Sequence, residues 1–114
     1  MCGIVGYVGN KKATPILIEG LLCLEYRGYD SAGIALKNSS DFQIIKSTGK
    51  IKKLEEKIKK SKLICADMGI AHTRWATHGK PSKVNSHPHS DNSKKISVVH
   101  NGIIENYAEL KKDK

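Results

Sequence analysis

At 114 residues and 39% apolar, the chain is the size of one folded domain, which usually runs to about 100–150 residues, and no window nears the ~18 apolar residues of a membrane helix. Three cysteines without a CxxC pair exclude a disulfide scaffold and a zinc ribbon. A net charge of +9 leaves weak attraction to polyanions open.

Met1–Asn10 has no basic n-region, and glycines break its apolar stretch. No secretory signal is expected, so the expected location is a reducing, cytoplasmic one. Cys2–Val8 reads as a short buried strand. Thr14 and Pro15 read as N-cap and first helical residue. They open a helix carrying Ile16, Leu17, Leu21 and Leu24, which should stop near Gly28. Ile34–Leu36 and Phe42–Ile45 suggest a strand pair joined by the polar turn Asn38–Ser40. In Lys50–Lys62, the spacing of Ile51, Leu54 and Ile58 marks one buried helix face among seven lysines. A strand follows around Met68–Thr73. Trp75–Lys95 is long and polar, and such a segment is usually functional or mobile. Ile96–Val99 reads as a strand ending at Asn101–Gly102. Asn106, with Glu109 three residues on, caps a last helix that Lys114 cuts short. The order predicts an α/β or α+β layered domain with mostly antiparallel pairing and no internal repeat.

Eighteen of the twenty cations are Lys, leaving only Arg27 and Arg74. Readers of nucleic acid favour Arg forks and aromatic platforms. The six aromatics here are not interleaved with the lysines. A solvated lysine face is expected, without specific nucleic-acid or membrane binding.

Cys2 carries the most chemical information. With Met1 removed it would hold a thiol and an α-amine on one residue, and an amine of pKa ~7.7–8.0 can serve as a general base near neutrality. A buried structural cysteine is the alternative, and lipidation a weaker one. Cys23 and Cys65 lie among apolar neighbours, where free cysteine behaves as a small buried hydrophobe. Arg74, opening the polar segment with Trp75, Thr77 and His78, could hold a carboxylate by two parallel hydrogen bonds, or form an ion pair. Arg27 at a helix end suits a structural role. His72, His78, His87, His89 and His100 match no zinc framework, and His87-Pro88-His89 would direct its rings apart if extended. Neither metal nor cofactor is expected. Asn101-Gly102 offers two donors side by side, as an oxyanion hole needs, or is a plain turn.

The opening MCGIVG, LEYRGYDSAG from Leu24, GIAHTRWATHGKPS from Gly69, NSHPH from Asn85 and VVHNGIIEN from Val98 together resemble one family. It is the glutamine–fructose-6-phosphate aminotransferase (isomerising), or glucosamine-6-phosphate synthase, family, and the likeness covers Met1 to about Leu110. Cys-Gly-Ile alone also opens other class II amidotransferases; EYRGYDSAG with HTRWATHG is more specific. The resemblance implies the α+β class and, within it, an N-terminal nucleophile hydrolase fold, an αββα sandwich, incomplete in this chain. It implies that Cys2 attacks the side-chain amide of L-glutamine with its α-amine as base, and that Asn101 and Gly102 form the oxyanion hole. Arg74 would grip the glutamine α-carboxylate, with Thr77 and His78 beside it. Trp75 would belong to a loop closing over glutamine, and Arg27 would order the nucleophile.

The full-length family is expected to be homo-oligomeric, and its isomerase domains, which take fructose 6-phosphate, have no counterpart in residues 1–114, nor does its Asp for the glutamine α-amine. Residues 1–114 are therefore expected to be a partial glutaminase domain, completed by a partner chain or poorly active alone. A non-catalytic remnant or a lysine-rich interaction module is the alternative.

Overall fold

A computed structural model describes residues 2–75, 82–102 and 104–112. Strand β1 (Gly3–Val8) leads to helix α1 (Ala13–Leu24) and a 3-10 turn, Glu25–Arg27. Strands β2 (Ser31–Lys37) and β3 (Phe42–Thr48), helix α2 (Ile51–Lys60) and strand β4 (Met68–Arg74) follow. Two-residue strands β5 (His89–Ser90) and β6 (Ser97–Val98) and helix α3 (Tyr107–Lys112) complete the described part. Every strand pairing is antiparallel, in a four-stranded sheet ordered β1-β4-β2-β3 and a ribbon of β5 with β6.

Period-two alternation divides the large sheet into two faces. Val5, Ala71, Ile34 and Ile45 turn toward the helices, where Leu17 and Leu21 of α1 and Ile51 and Leu54 of α2 are fully buried. Burying each such Leu or Ile contributes roughly 1.5–3 kcal/mol. This is the spacing expected of α2, and its lysines lie outside the seam. Lys57, half-buried, donates from Nζ to the Lys46 carbonyl at 2.6 Å. Asn38 makes the β2–β3 turn as expected, its Oδ1 accepting from Ser40 N at 2.9 Å and Asp41 N at 2.6 Å.

The other face presents Ile4, His72, Gly33 and Lys46 in one row across the strands. Residues 86–88 cross this row. A Cβ on Gly33 would collide with the His87 carbonyl oxygen, so only glycine lets the crossing chain settle there. Lys46 Nζ donates to the Ser86 carbonyl at 2.9 Å, and Ser86 and Pro88 are fully buried.

Several expectations need correction. Helix α1 begins one residue before Thr14, without a side-chain cap. Its first N–H, from Ala13, donates instead to Ala66 at 2.9 Å, so a tertiary contact replaces the cap. Cys23 and Cys65 are exposed rather than buried. Cys23 lies two positions past Leu21, off the buried stripe of α1, and Cys65 lies in the irregular stretch before β4. The polar segment after Trp75 is not structureless from Ser82 onward, because β5 pairs with β6. Among the described residues, no helix is long and apolar enough to cross a membrane.

Candidate active site

Gly3 pairs with Thr73, so Cys2 leaves β1 beside the Arg74–Trp75 end of β4. The Trp75 N–H donates to Cys2 Sγ at 3.4 Å, and the thiol lies 3.8 Å from the Trp75 carbonyl. The Asn101 amide reaches the same place from the segment after β6, donating from Nδ2 to the Cys2 carbonyl at 3.4 Å. Gly102 follows Asn101 directly. Cys2, Trp75 and Asn101, separated by 73 and 99 residues along the chain, thus meet at one end of the sheet.

Glycine makes room for this meeting twice. A Cβ on Gly3 would come within 2.8 Å of Leu24, so only the bare backbone lets β1 pass that close to α1. Gly28, at φ 120°, ends the Glu25–Arg27 turn, and the Trp75 ring lies where its Cβ would be, at 2.9 Å. That backbone region disfavours other residues even without the ring. Arg27 is thereby placed one residue from the Trp75 contact.

Arg74 is 7% exposed, rare for arginine, which is seldom buried unless paired. Its carbonyl accepts from the Asp30 N–H at 2.7 Å, and Ser31 Oγ donates to the Asp30 carboxylate at 2.9 Å. The guanidinium thus stands on a strand end braced by its neighbours. Thr77 and His78 lie outside the described residues.

His72 sits between Ala71 and Thr73 in β4, two residues before Arg74 and on the same face. The sequence singled it out only as a possible metal ligand. Its ring is fully buried, with Nε2 2.6 Å from Asn101 Oδ1. His87 lies against it at 4.3 Å between ring centroids, and His89 against His87 at 4.4 Å. The His87 and His89 rings therefore come together rather than apart, because Pro88 is buried over Gly33 and the stretch is not an extended strand. No group of His, Cys, Asp or Glu with the makings of a metal site occurs among the described residues.

Burial pushes all three imidazoles below the ordinary value of 6.5. For His87 it combines with the charges of His72, His89, Arg74 and Lys46 to bring the pKa down to about 3. For His72 the Asn101 hydrogen bond opposes burial without overcoming it. Between pH 6.5 and about 3 the unfolded chain therefore binds a proton at His87 that the folded chain does not. Stability then rises with pH across that window and falls as acid is added. Urea unfolding at pH 7, 6 and 5 should show a progressive loss, at most about 1.4 kcal/mol per pH unit for each histidine. His87→Phe should flatten the profile; stability that is flat or rising toward pH 5 would contradict the placement of the rings.

No protein-family model matches the chain. Among curated proteins, the glutamine–fructose-6-phosphate aminotransferase (isomerizing) of Clostridium tetani is 60% identical over 111 residues, covering 97% of this chain and 18% of that protein. The protein of the same name from Caldanaerobacter subterraneus is 60% identical over 112 residues, covering 98% and 18%. That from Bacteroides thetaiotaomicron is 58% identical over 112, covering 97% and 18%. The chain is homologous to the N-terminal portion of glutamine–fructose-6-phosphate aminotransferases. It spans about a fifth of the length of these relatives, 18% in each case. The segments carrying Cys2, Arg74, Trp75 and Asn101 all lie within this aminotransferase-related stretch. By contrast, the open cleft of about 530 Å³ between α1 and α2 holds none of the candidate residues.

Proposed function

We propose that this chain carries the nucleophile-bearing part of a class II glutaminase domain. The observation that carries the reading is the meeting of Cys2, the Trp75 backbone and the Asn101 amide, with buried Arg74 alongside. With Met1 removed, the α-amine of Cys2 accepts the thiol proton as Sγ attacks the amide carbon of L-glutamine. The Asn101 side chain and the Gly102 N–H stabilise the oxyanion. The C–N bond breaks, the amine returns the proton to the leaving nitrogen, and ammonia departs. Water then cleaves the thioester to glutamate and frees the thiol. Arg74 holds the α-carboxylate as a bidentate partner, Thr77, His78 and Trp75 line the bound glutamine, and Arg27 orders the Cys2 region. None of these steps uses a cofactor.

The names of the relatives support glutamine as substrate and fructose 6-phosphate as the acceptor of its nitrogen in the whole protein. The acceptor would bind a part homologous to the remaining length of those relatives, in a cytoplasmic homo-oligomer. Exposed Ile4, Val8 and Met68 on the second sheet face support an αββα sandwich, in which a second sheet covers that face. The test is release of glutamate and ammonia in equal amounts from glutamine by the purified chain. Release of neither, both by the chain alone and by the chain extended to the length of its relatives, would favour a non-catalytic binding role.

A further inference from the structure

We infer that His72 is a positioning residue that fixes which way the Asn101 amide faces, turning its NH2 rather than its carbonyl oxygen toward Cys2. The inference rests on the reading of Asn101 as an oxyanion donor and names what makes it one. An asparagine amide is nearly symmetric in shape, and its two orientations have opposite effects on a thiol attack. The NH2 stabilises the developing oxyanion, whereas the carbonyl oxygen repels it.

The 2.6 Å contact between His72 Nε2 and the Asn101 amide has two chemical solutions for a neutral ring. With the proton on Nε2, the ring donates to Oδ1 and the NH2 is left to face Cys2. With the proton on Nδ1, Nε2 accepts from the NH2 and the oxygen faces Cys2. The surroundings of the other nitrogen choose between them. Nδ1 is buried and has no hydrogen-bond partner among the described residues. A proton there would be a buried donor with nothing to bond, rarer and more costly than an under-satisfied acceptor. The Nε2–H tautomer leaves only a lone pair unmatched. The Asn101 orientation that follows is the one observed, with Nδ2 3.4 Å from the Cys2 carbonyl.

Packing holds the ring in register with this task. His72 is fully buried from solvent, at 0% exposure, while Asn101 is exposed. His87 closes over it at 4.3 Å and reaches that position only because Gly33, beside His72 on β2, carries no side chain. A rigid buried imidazole therefore orients an amide that would otherwise rotate freely in solvent.

Two measurements on the chain test this together. A two-bond 1H–15N spectrum of the histidines should show His72 neutral at pH 7, with a protonated Nε2 and an unprotonated Nδ1. In Asn101→Ala the same ring should become a mixture of tautomers. In glutamine hydrolysis, His72→Phe should lower kcat roughly 10–100-fold with little change in KM, part of the about 10²–10³ lost with a whole oxyanion donor. His72→Gln, whose side-chain amide can donate from nearly the same point, should recover most of the rate. In an Asn101→Ala background, His72→Phe should cost nothing further. An Nδ1–H tautomer in the wild type, or equal losses with and without Asn101, would overturn the inference. If the wild-type chain alone releases too little glutamate to measure, as a partial domain can, the tautomer and its change in Asn101→Ala decide whether His72 orients Asn101.

Discussion

Cys2→Ala should leave a folded chain that releases glutamate from glutamine at least about 10³-fold more slowly, since losing the nucleophile of a covalent mechanism removes most of its rate. The effect should be confined to chemistry. Cys2 precedes the first residue of β1 and packs in no core cluster, so alanine forfeits little beyond weak contacts of the thiol with the Trp75 backbone. Thermal unfolding should shift by no more than about 1 kcal/mol equivalent. Neither other cysteine can substitute, because both are exposed and lie on α1 and before β4, away from Asn101. A buried structural cysteine would show the reverse, a loss of stability with glutaminase activity retained. Glutamate release beside a thermal melt of the variant separates the two.

Arg74→Lys should lower kcat/KM for glutamine by roughly 10–100-fold, the equivalent of about 1.5–3 kcal/mol for a charge-assisted hydrogen bond. Lysine keeps the charge and loses the planar fork that matches a carboxylate. The position makes the comparison informative. Arg74 ends a strand whose carbonyl is tied to the Asp30 N–H, and the side chain is 7% exposed, so the cation is held rather than swinging in solvent. A glutamine analogue lacking the α-carboxylate should react equally with both forms. Equal losses for both substrates would mean that Arg74 serves the fold.

The local elements were legible where one short-range rule decides the outcome. Ile51, Leu54 and Ile58 place one stripe against the sheet, and Asn38 closes its turn with its own side chain. Gly28 ends the first helical stretch with the backbone angle that glycine permits. Legibility failed where a distant segment decided. Nothing near Thr14 reveals that the Ala66 carbonyl takes the first N–H of α1. Strand β6 falls within the expected Ile96–Val99, but its partner β5 is two residues long, too short for alternation to register. The stacking of His87 on His72 depends on a crossing over Gly33, 54 positions away in the chain by residue number.

The site shows the same division. Cys2, Arg74, Trp75 and Asn101 were legible as residue types and through resemblance. Their meeting depends on the β1–β4 register and on the path after β6, which no local pattern encodes. His72 was noticed for its imidazole and missed as a partner of Asn101. The available signal was its place two residues before Arg74, which puts both on one face of a strand.

Reaction with a glutamine analogue bearing an electrophilic ketone in place of its amide, followed by peptide mapping, tests the central claim that Cys2 is the nucleophile of a glutamine site. The account predicts a single adduct on Cys2 of a chain that has lost Met1, with the rate suppressed by added glutamine. Labelling of Cys23 or Cys65 in preference to Cys2, or labelling of Cys2 that glutamine does not slow, would contradict it.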